Sequence, residues 1–263
     1  MKINDIHLRT NDLLETKKFY ETVLGLVTHK QTENELVLGN ASPLLYFHQD
    51  NKYQGKPNQF TGLYHFALLL QSDQDLASLL YHFIENQYPI IGAADHLYSK
   101  AVYLQDPNGY GIEVYADRPK TSWIIENEYI KSDTLPLDIE SLLEKRTRQW
   151  TQLPDTASIG HIHLQTNDLF EANILYVEKL GLKEMSLVPS ALFLSDHDYH
   201  HDIALNAWNR QIKPPQEDSL AMLYFTIEAI DFDPDKLKDY LITESKTTYH
   251  YQDKSGIQFK IIK

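Results

Sequence analysis

Cysteine is absent from the 263 residues. That excludes a disulfide framework and thiolate chemistry, and it suits a reducing compartment, so the cytoplasm is the expected location. No apolar run approaches membrane-spanning length, and the opening MKINDIHLRT has none of the apolar core of a signal peptide. Positive charge is scarce: 24 Lys and Arg face 37 Asp and Glu, a formal net charge of −13. That balance argues against a nucleic-acid backbone or an anionic membrane as partner, and reads as a solvated acidic surface. What remains is globular, with 42% hydrophobic and 23% charged residues, and long enough for one large domain or two ordinary ones. Tyrosine (17) and histidine (12) are plentiful, and the placement of the histidines decides most of the functional reading.

Residues 3–26, INDIHLRTNDLLETKKFYETVLGL, align without a gap on residues 159–182, IGHIHLQTNDLFEANILYVEKLGL, with 13 of 24 pairs identical. A repeat this strong sets the architecture. Each copy predicts an alternating strand (Ile6, Leu8; Ile162, Leu164), an Asn-Asp cap, then a helix stopping at Leu-Gly-Leu, where Gly25 or Gly181 suits a left-handed residue. Three short strands should follow each helix: near 27–30, 35–38 and 44–47 in the first copy, and near 183–187, 191–194 and 203–207 in the second. A second pair of units is visible. Residues 63–70 predict a strand, 74–86 a helix and 101–115 a hairpin. Residues 221–228 predict a strand, 235–241 a helix and 247–262 a hairpin. The expectation is an α+β protein of four βαβββ modules. Modules one and two span residues 1–118, and modules three and four span 157–263. Residues 119–156 form a linker, with an amphipathic helix over 138–150 that turns Leu142, Leu143 and Trp150 inward.

The central stretch is the hairpin AVYLQDPNGYGIEVYADRP, residues 101–119. Asp106-Pro107-Asn108-Gly109 is its turn, with Pro pre-setting φ and Gly free to reverse the chain. Alternation puts Gly111, Glu113 and Tyr115 on one face and Ile112 and Val114 on the other. A carboxylate in mid-strand between apolar neighbours either faces solvent or is paired with something; the second reading makes Glu113 a metal ligand.

Together, GHIHLQTNDL (160–169), LYHFALLL (63–70), the hairpin above and YHHDIALNAW (199–208) resemble the vicinal oxygen chelate superfamily. That superfamily embraces glyoxalase I, the bleomycin-resistance proteins and the extradiol dioxygenases, and this chain is most similar to the bacterial catechol 2,3-dioxygenases. The resemblance covers nearly the whole chain and implies two tandem domains of curved, cup-like mixed sheets. It implies a metal held by His65, Glu113 and His161. The corresponding position in module one is Asp5, module four offers Leu223, and its last strand, GIQFKII, has Gln258 and Lys260 but no carboxylate. All three ligands therefore fall in modules two and three, and the simplest geometry pairs those two in one cup, leaving modules one and four as a vestigial one. If tandem neighbours paired instead, His161 would be separated from its partners.

By the same resemblance, His201 is the acid–base residue, Tyr103 lies beside the bound catecholate, and His96 falls near the position of a further histidine of the family's catalytic site. An imidazole titrates near neutrality and can take a catechol proton. Two imidazoles and a carboxylate suit Fe(II), with Mn, Ni or Zn as other divalent candidates. The implied reactants are a small aromatic diol and O₂, and self-association is left open. Two readings compete: a glyoxalase-like isomerase or lyase, and a metal-free binding or resistance protein. Against the first, IALNAW lacks the further carboxylate such isomerases use. His7 and His163 read as packing groups or as supports beside the ligands, His200 as a surface residue by strand alternation, and His29, His48, His82, His197 and His250 have no assignable partner. The three tryptophans read as core or pocket wall.

Overall fold

The computed structural model describes residues 1–50, 52–209, 211–228 and 232–262. Module one comprises β1 (Lys2–Thr10), α1 (Leu13–Phe19), β2 (Val27–Gln31), β3 (Glu35–Gly39) and β4 (Pro43–Gln49). Module two comprises β5 (Gly62–Leu70), α2 (Asp73–Glu85), β6 (Gly92–Asp95), β7 (Ser99–Gln105) and β8 (Gly111–Asp117). The connector adds a small ribbon, β9 (Ile125–Glu126) with β10 (Tyr129–Ile130), then β11 (Leu135–Pro136) and α3 (Ile139–Leu143). Module three is β12 (Ser158–Gln165), α4 (Leu169–Ala172), β13 (Lys183–Ser186), β14 (Ala191–Ser195) and β15 (Ile203–Asn206). Module four is β16 (Met222–Glu228), a 3₁₀ helix at Pro234–Tyr240, β17 (Leu241–Glu244), β18 (Thr248–Gln252) and β19 (Gln258–Ile262).

The repeat folds the same way twice because the same local chemistry starts and stops each helix. The Asp12 carboxylate accepts from the amides of Leu14 and Glu15 at 2.8 and 2.9 Å, and Asp168 does so for Phe170 and Glu171 at 3.0 and 3.1 Å. Such a cap is worth about 1 kcal/mol. Both helices then widen into π turns, Tyr20–Leu24 and Asn173–Lys179, which the apolar spacing does not foretell. Gly25 follows the first at φ 76° and Gly181 the second at φ 84°. At Gly25 a side chain is doubly excluded, since a Cβ there would sit 2.5 Å from the Gln152 backbone, where the Leu153 amide donates to the Gly25 carbonyl at 2.8 Å.

Two sheets result, and each takes one module from either half of the sequence. One runs β17-β18-β19-β16-β1-β4-β3-β2 and joins modules four and one. The other runs β11-β6-β7-β8-β5-β12-β15-β14-β13 and joins modules two and three, the crossed pairing expected from the ligand positions. At its seam β5 and β12 are antiparallel, with His65 opposite His163 and Ala67 opposite His161. The apolar faces, with Phe47, Phe66, Leu68, Ile162, Leu164 and Phe225 among the fully buried side chains, form one continuous core with the helices. This leaves the other face of the module-two and module-three sheet to the site.

Four expectations need correction. The helix expected over 138–150 ends at Leu143, because Glu-Lys-Arg-Thr-Arg-Gln offers nothing apolar to a core before Trp150. Trp150 is still buried and donates to the Leu24 carbonyl at 3.2 Å, but from irregular chain. The helix of module four is a 3₁₀ helix, and Leu241 already belongs to the next strand. The module-four position matching His65 is Tyr224 rather than Leu223, since Tyr224 stands opposite His7 as His65 stands opposite His163. Finally, His200 is fully buried rather than at the surface.

Candidate metal centre

His65, Glu113 and His161 come from three neighbouring strands, β5, β8 and β12. Ala67 lies in register with Glu113 on one side and His161 on the other. Its small side chain leaves room for the two larger ones to lean together over it. Glu113 Oε2 is 3.0 Å from His65 Nε2 and 3.4 Å from His161 Nε2, and one donor atom of each of the three residues falls within 4.8 Å of the others. Spacings of about 3.0 to 3.4 Å are the edges expected when bonds of about 2.1 Å spread at right or tetrahedral angles around one ion. His65 Nε2 is buried with no hydrogen-bond partner despite its closeness to the carboxylate. A buried, bare ring nitrogen is costly unless something binds it, so these residues fit a divalent metal.

The electrostatics agree. Glu113 is 3% exposed. Burial works against its ionisation, but His161 and His65 outweigh it and hold the carboxyl well below the usual range. Burial pushes His161 down to about 4 against the opposing pull of Glu113, which leaves a neutral imidazole at pH 7, the form that ligates. Gly160, immediately before His161, allows the Tyr115 hydroxyl past, since a Cβ there would lie 2.0 Å from that oxygen.

The three donors open onto a cavity of about 640 Å³. His201, Tyr103 and His96, each expected at the site from the sequence, all line it. The His201 ring centroid is 4.2 Å from that of His161. Burial, and then the neighbouring histidines, keep the His201 pKa well below the usual imidazole value. The Tyr103 hydroxyl is 2.6 Å from His96 Nε2, and burial, then Glu113, raises its pKa well above 10. His163 also reaches the cavity, with its Nε2 3.0 Å from the Asn206 amide nitrogen. Phe193 and Trp208 contribute aromatic wall. Two residues escaped the sequence reading. His200 was sent outward by strict alternation, and Asp117 was passed over, although it continues the Glu113–Tyr115 face of β8.

Residues 2–114 match the family described as the glyoxalase/bleomycin resistance protein/dioxygenase superfamily. A catechol-2,3-dioxygenase of Bacillus subtilis (strain 168) is 36% identical over 262 residues, covering 94% of this chain and 91% of that one. The chain belongs to the glyoxalase/bleomycin resistance protein/dioxygenase superfamily. Solved structures of the superfamily's fold agree over the full length. Glyoxalase I from Zea mays aligns with 99% of this chain and 92% of its own at a TM-score of 0.60 and 16% identity. The cppA protein from Streptococcus pneumoniae TIGR4 aligns with 99% and 98% at 0.55 and 13%. At these identities the likeness speaks for the fold.

Proposed function

We propose that the protein is an Fe(II)-dependent extradiol dioxygenase that opens the ring of a catechol-like substrate with O₂, as the name of its B. subtilis relative suggests. The observation that carries the reading is the meeting of His65, Glu113 and His161 beneath the cavity that His201 and Tyr103 line. We take residues 1–118 and 157–263 as the two domains and the cytoplasm as the site of action.

His65, Glu113 and His161 would hold Fe(II), which would supply Lewis acidity toward the catechol and O₂. The remaining chemistry belongs to side chains. His201, neutral through burial, accepts a hydroxyl proton as the catechol settles and holds it for return to the product. Tyr103, kept protonated by its high pKa, donates a hydrogen bond to the catecholate oxygen. Without substrate that hydroxyl faces His96 Nε2 at 2.6 Å, and His96 Nδ1 donates to the Asp133 carbonyl at 2.7 Å, so the Tyr103 proton must turn from His96 to the catecholate as the substrate binds. The aromatic wall limits water and stacks the ring.

The test is anaerobic reconstitution with Fe(II), then catechol and air-saturated buffer, following the yellow ring-opened product and measuring iron in the same sample. His201→Ala should keep its iron and lose roughly 10²- to 10⁴-fold in rate. Tyr103→Phe should lose less, about the value of one hydrogen bond. An iron-loaded wild type that cleaves no catechol, or a fully active His201→Ala, would overturn the reading. Activity with nickel or zinc on a hemithioacetal would point to isomerisation instead.

A further inference from the structure

Behind His201 lies a chain of polar groups that the proposed reaction does not use directly. His200 is fully buried. Its Nε2 is 3.0 Å from Asp117 Oδ1, and its Nδ1 is 2.8 Å from His201 Nδ1. The ring is held flat against Tyr98, with centroids 4.3 Å apart and planes at 16°, and Tyr199 closes on it at 4.0 Å. Asp117 is itself held, since Tyr199 donates its hydroxyl to Oδ2 at 3.0 Å. That commits the Tyr199 proton, so Tyr115, 2.7 Å away, donates to Tyr199 in turn.

With one proton on each imidazole, the direction of every hydrogen bond in this chain follows from the fact that an ionised carboxylate only accepts. Facing Asp117, His200 Nε2 must carry a proton. A neutral imidazole has one N–H, so His200 Nδ1 is bare and accepts. His201 Nδ1, facing it, must donate. A neutral His201 with its proton on Nδ1 has a bare Nε2 on the far side of the ring. We propose that Asp117 and His200 are positioning residues that lock His201 in the Nδ1–H tautomer and turn its Nε2 lone pair toward the cavity.

This proposal rests on the reading of His201 as the acid–base residue. The logic is that of a carboxylate orienting a catalytic imidazole, with a second imidazole inserted between the two. The nitrogens of His161, His200 and His201 also gather within 4.8 Å. However, the His200 and His201 Nδ1 atoms are spent on each other and His200 Nε2 on Asp117, which argues for hydrogen bonding rather than a second ion there. The arrangement also accounts for the doubled histidine at 200–201: the first is the holder and the second is held.

The experiment uses the whole chain, metal-free, with ¹⁵N-labelled histidine. Long-range ¹H–¹⁵N spectra, assigned by loss of signals in His201→Gln, report the tautomer of His201 without any turnover. The wild type should show the proton on Nδ1. Asp117→Asn presents an amide N–H to His200 Nε2 in a side chain of the same shape. That reverses the chain, and His201 should switch to Nε2–H. In the iron-loaded enzyme, kcat for catechol should then fall about 10²-fold, the lower end of acid–base catalysis, with KM and iron content little changed. His200→Gln, which retains an acceptor for His201 Nδ1, should recover part of the rate that His200→Phe loses. A wild-type His201 protonated on Nε2, or an unchanged tautomer in Asp117→Asn, would overturn the proposal. A wild type with the expected tautomer but no ring cleavage would instead count against the dioxygenase reading, leaving the positioning role supported by the spectra.

Discussion

The two sheets share one plan and differ in what stands at three matching positions. In the module-two and module-three sheet these are His65, Glu113 and His161. In the other, strand register puts Tyr224, Lys260 and Asp5 in their places, because Thr226 lies beside Lys260 and opposite Asp5 as Ala67 lies beside Glu113 and opposite His161. The consequences run opposite ways. The first set gathers acceptors with no cation of their own, including a buried bare ring nitrogen. The second contains its own cation: Lys260 Nζ stands 3.6 Å from the centre of the Tyr224 ring, a cation–π contact where the other sheet would hold a metal. Around it, His7 is stacked between Tyr46 and Tyr224 at 4.3 and 4.1 Å. Its Nδ1 is 2.9 Å from His48 Nε2, and its Nε2 is 3.3 Å from Asp5. The same scaffold makes a metal-fitting site or a filled aromatic cluster according to whether the second position, Glu113 or Lys260, carries a carboxylate or an ammonium.

The largest effect should separate the two sheets outright. Changing Glu113, His161 or His65 to Ala removes one of three donors and should abolish stable iron binding, and ring cleavage with it. Asp5→Ala should leave iron at the wild-type ratio. The measurement is metal per chain after desalting, with circular dichroism to show that the fold persists. Near-normal iron in any of the first three would remove that residue from the ligand set.

Much of this contrast was legible in the sequence. The 13 identities of the repeat locate the seam strands β1 and β12. Asp5 in place of His161, and a last strand without a carboxylate, already show which pairing can hold a metal. What stayed hidden depended on details that a periodic pattern does not carry. Leu223 stood in for Tyr224 because strands 63–70 and 221–228 match end to end by pattern, whereas their pairing with the repeat strands is offset by one residue. His200 was placed outside because alternation assumes a regular strand, whereas residues 199–202 lie before β15 begins, in chain free to turn both imidazoles inward. The connector helix was over-extended because Trp150 is buried for reasons of tertiary contact.

A second, smaller effect concerns the locks that tie each repeat helix to the hairpin of the following module. Tyr20 donates to Asp106 at 3.1 Å, and its repeat counterpart Tyr176 donates to Asp253 at 3.5 Å. Burial raises Asp106 to about 6 and Asp253 to about 7 despite the hydrogen bonds each accepts. Both folded values exceed the unfolded carboxylate value of about 3.9. Each group therefore contributes stability that is fully present below about pH 4 and is lost as pH rises through its folded pKa. The loss is on the order of 3 kcal/mol for Asp106 and 4 kcal/mol for Asp253. Asp253→Asn, which cannot ionise, should flatten the fall in stability between pH 4 and 8 more than Asp106→Asn does. Urea unfolding of the metal-free chain across that range measures it. Equal slopes would show that the two halves bury their locks alike, and reversed slopes that Asp106 is the more strongly shifted of the two.

The smallest effect tests whether the second cluster is inert toward the first. Lys260 is partly buried, which lowers its pKa while Asp5 raises it, and its ammonium is engaged with Tyr224. A cation–π contact of this kind is worth about 0.5 to 1 kcal/mol where water still reaches it. Lys260→Met keeps most of the apolar stem over the ring and removes the charge, so the expected loss of stability is about 1 kcal/mol or less. Iron content and catechol turnover should not move, because Lys260 lies in the other sheet and touches none of the three donors. A stability loss well above that would mean the ammonium holds Asp5 as well as Tyr224, making the cluster an ion-paired substitute for a metal rather than a stack of rings. A change in turnover with iron content intact would mean that the seam strands β1 and β12 transmit strain between the sheets, and the two clusters would have to be treated as one coupled unit.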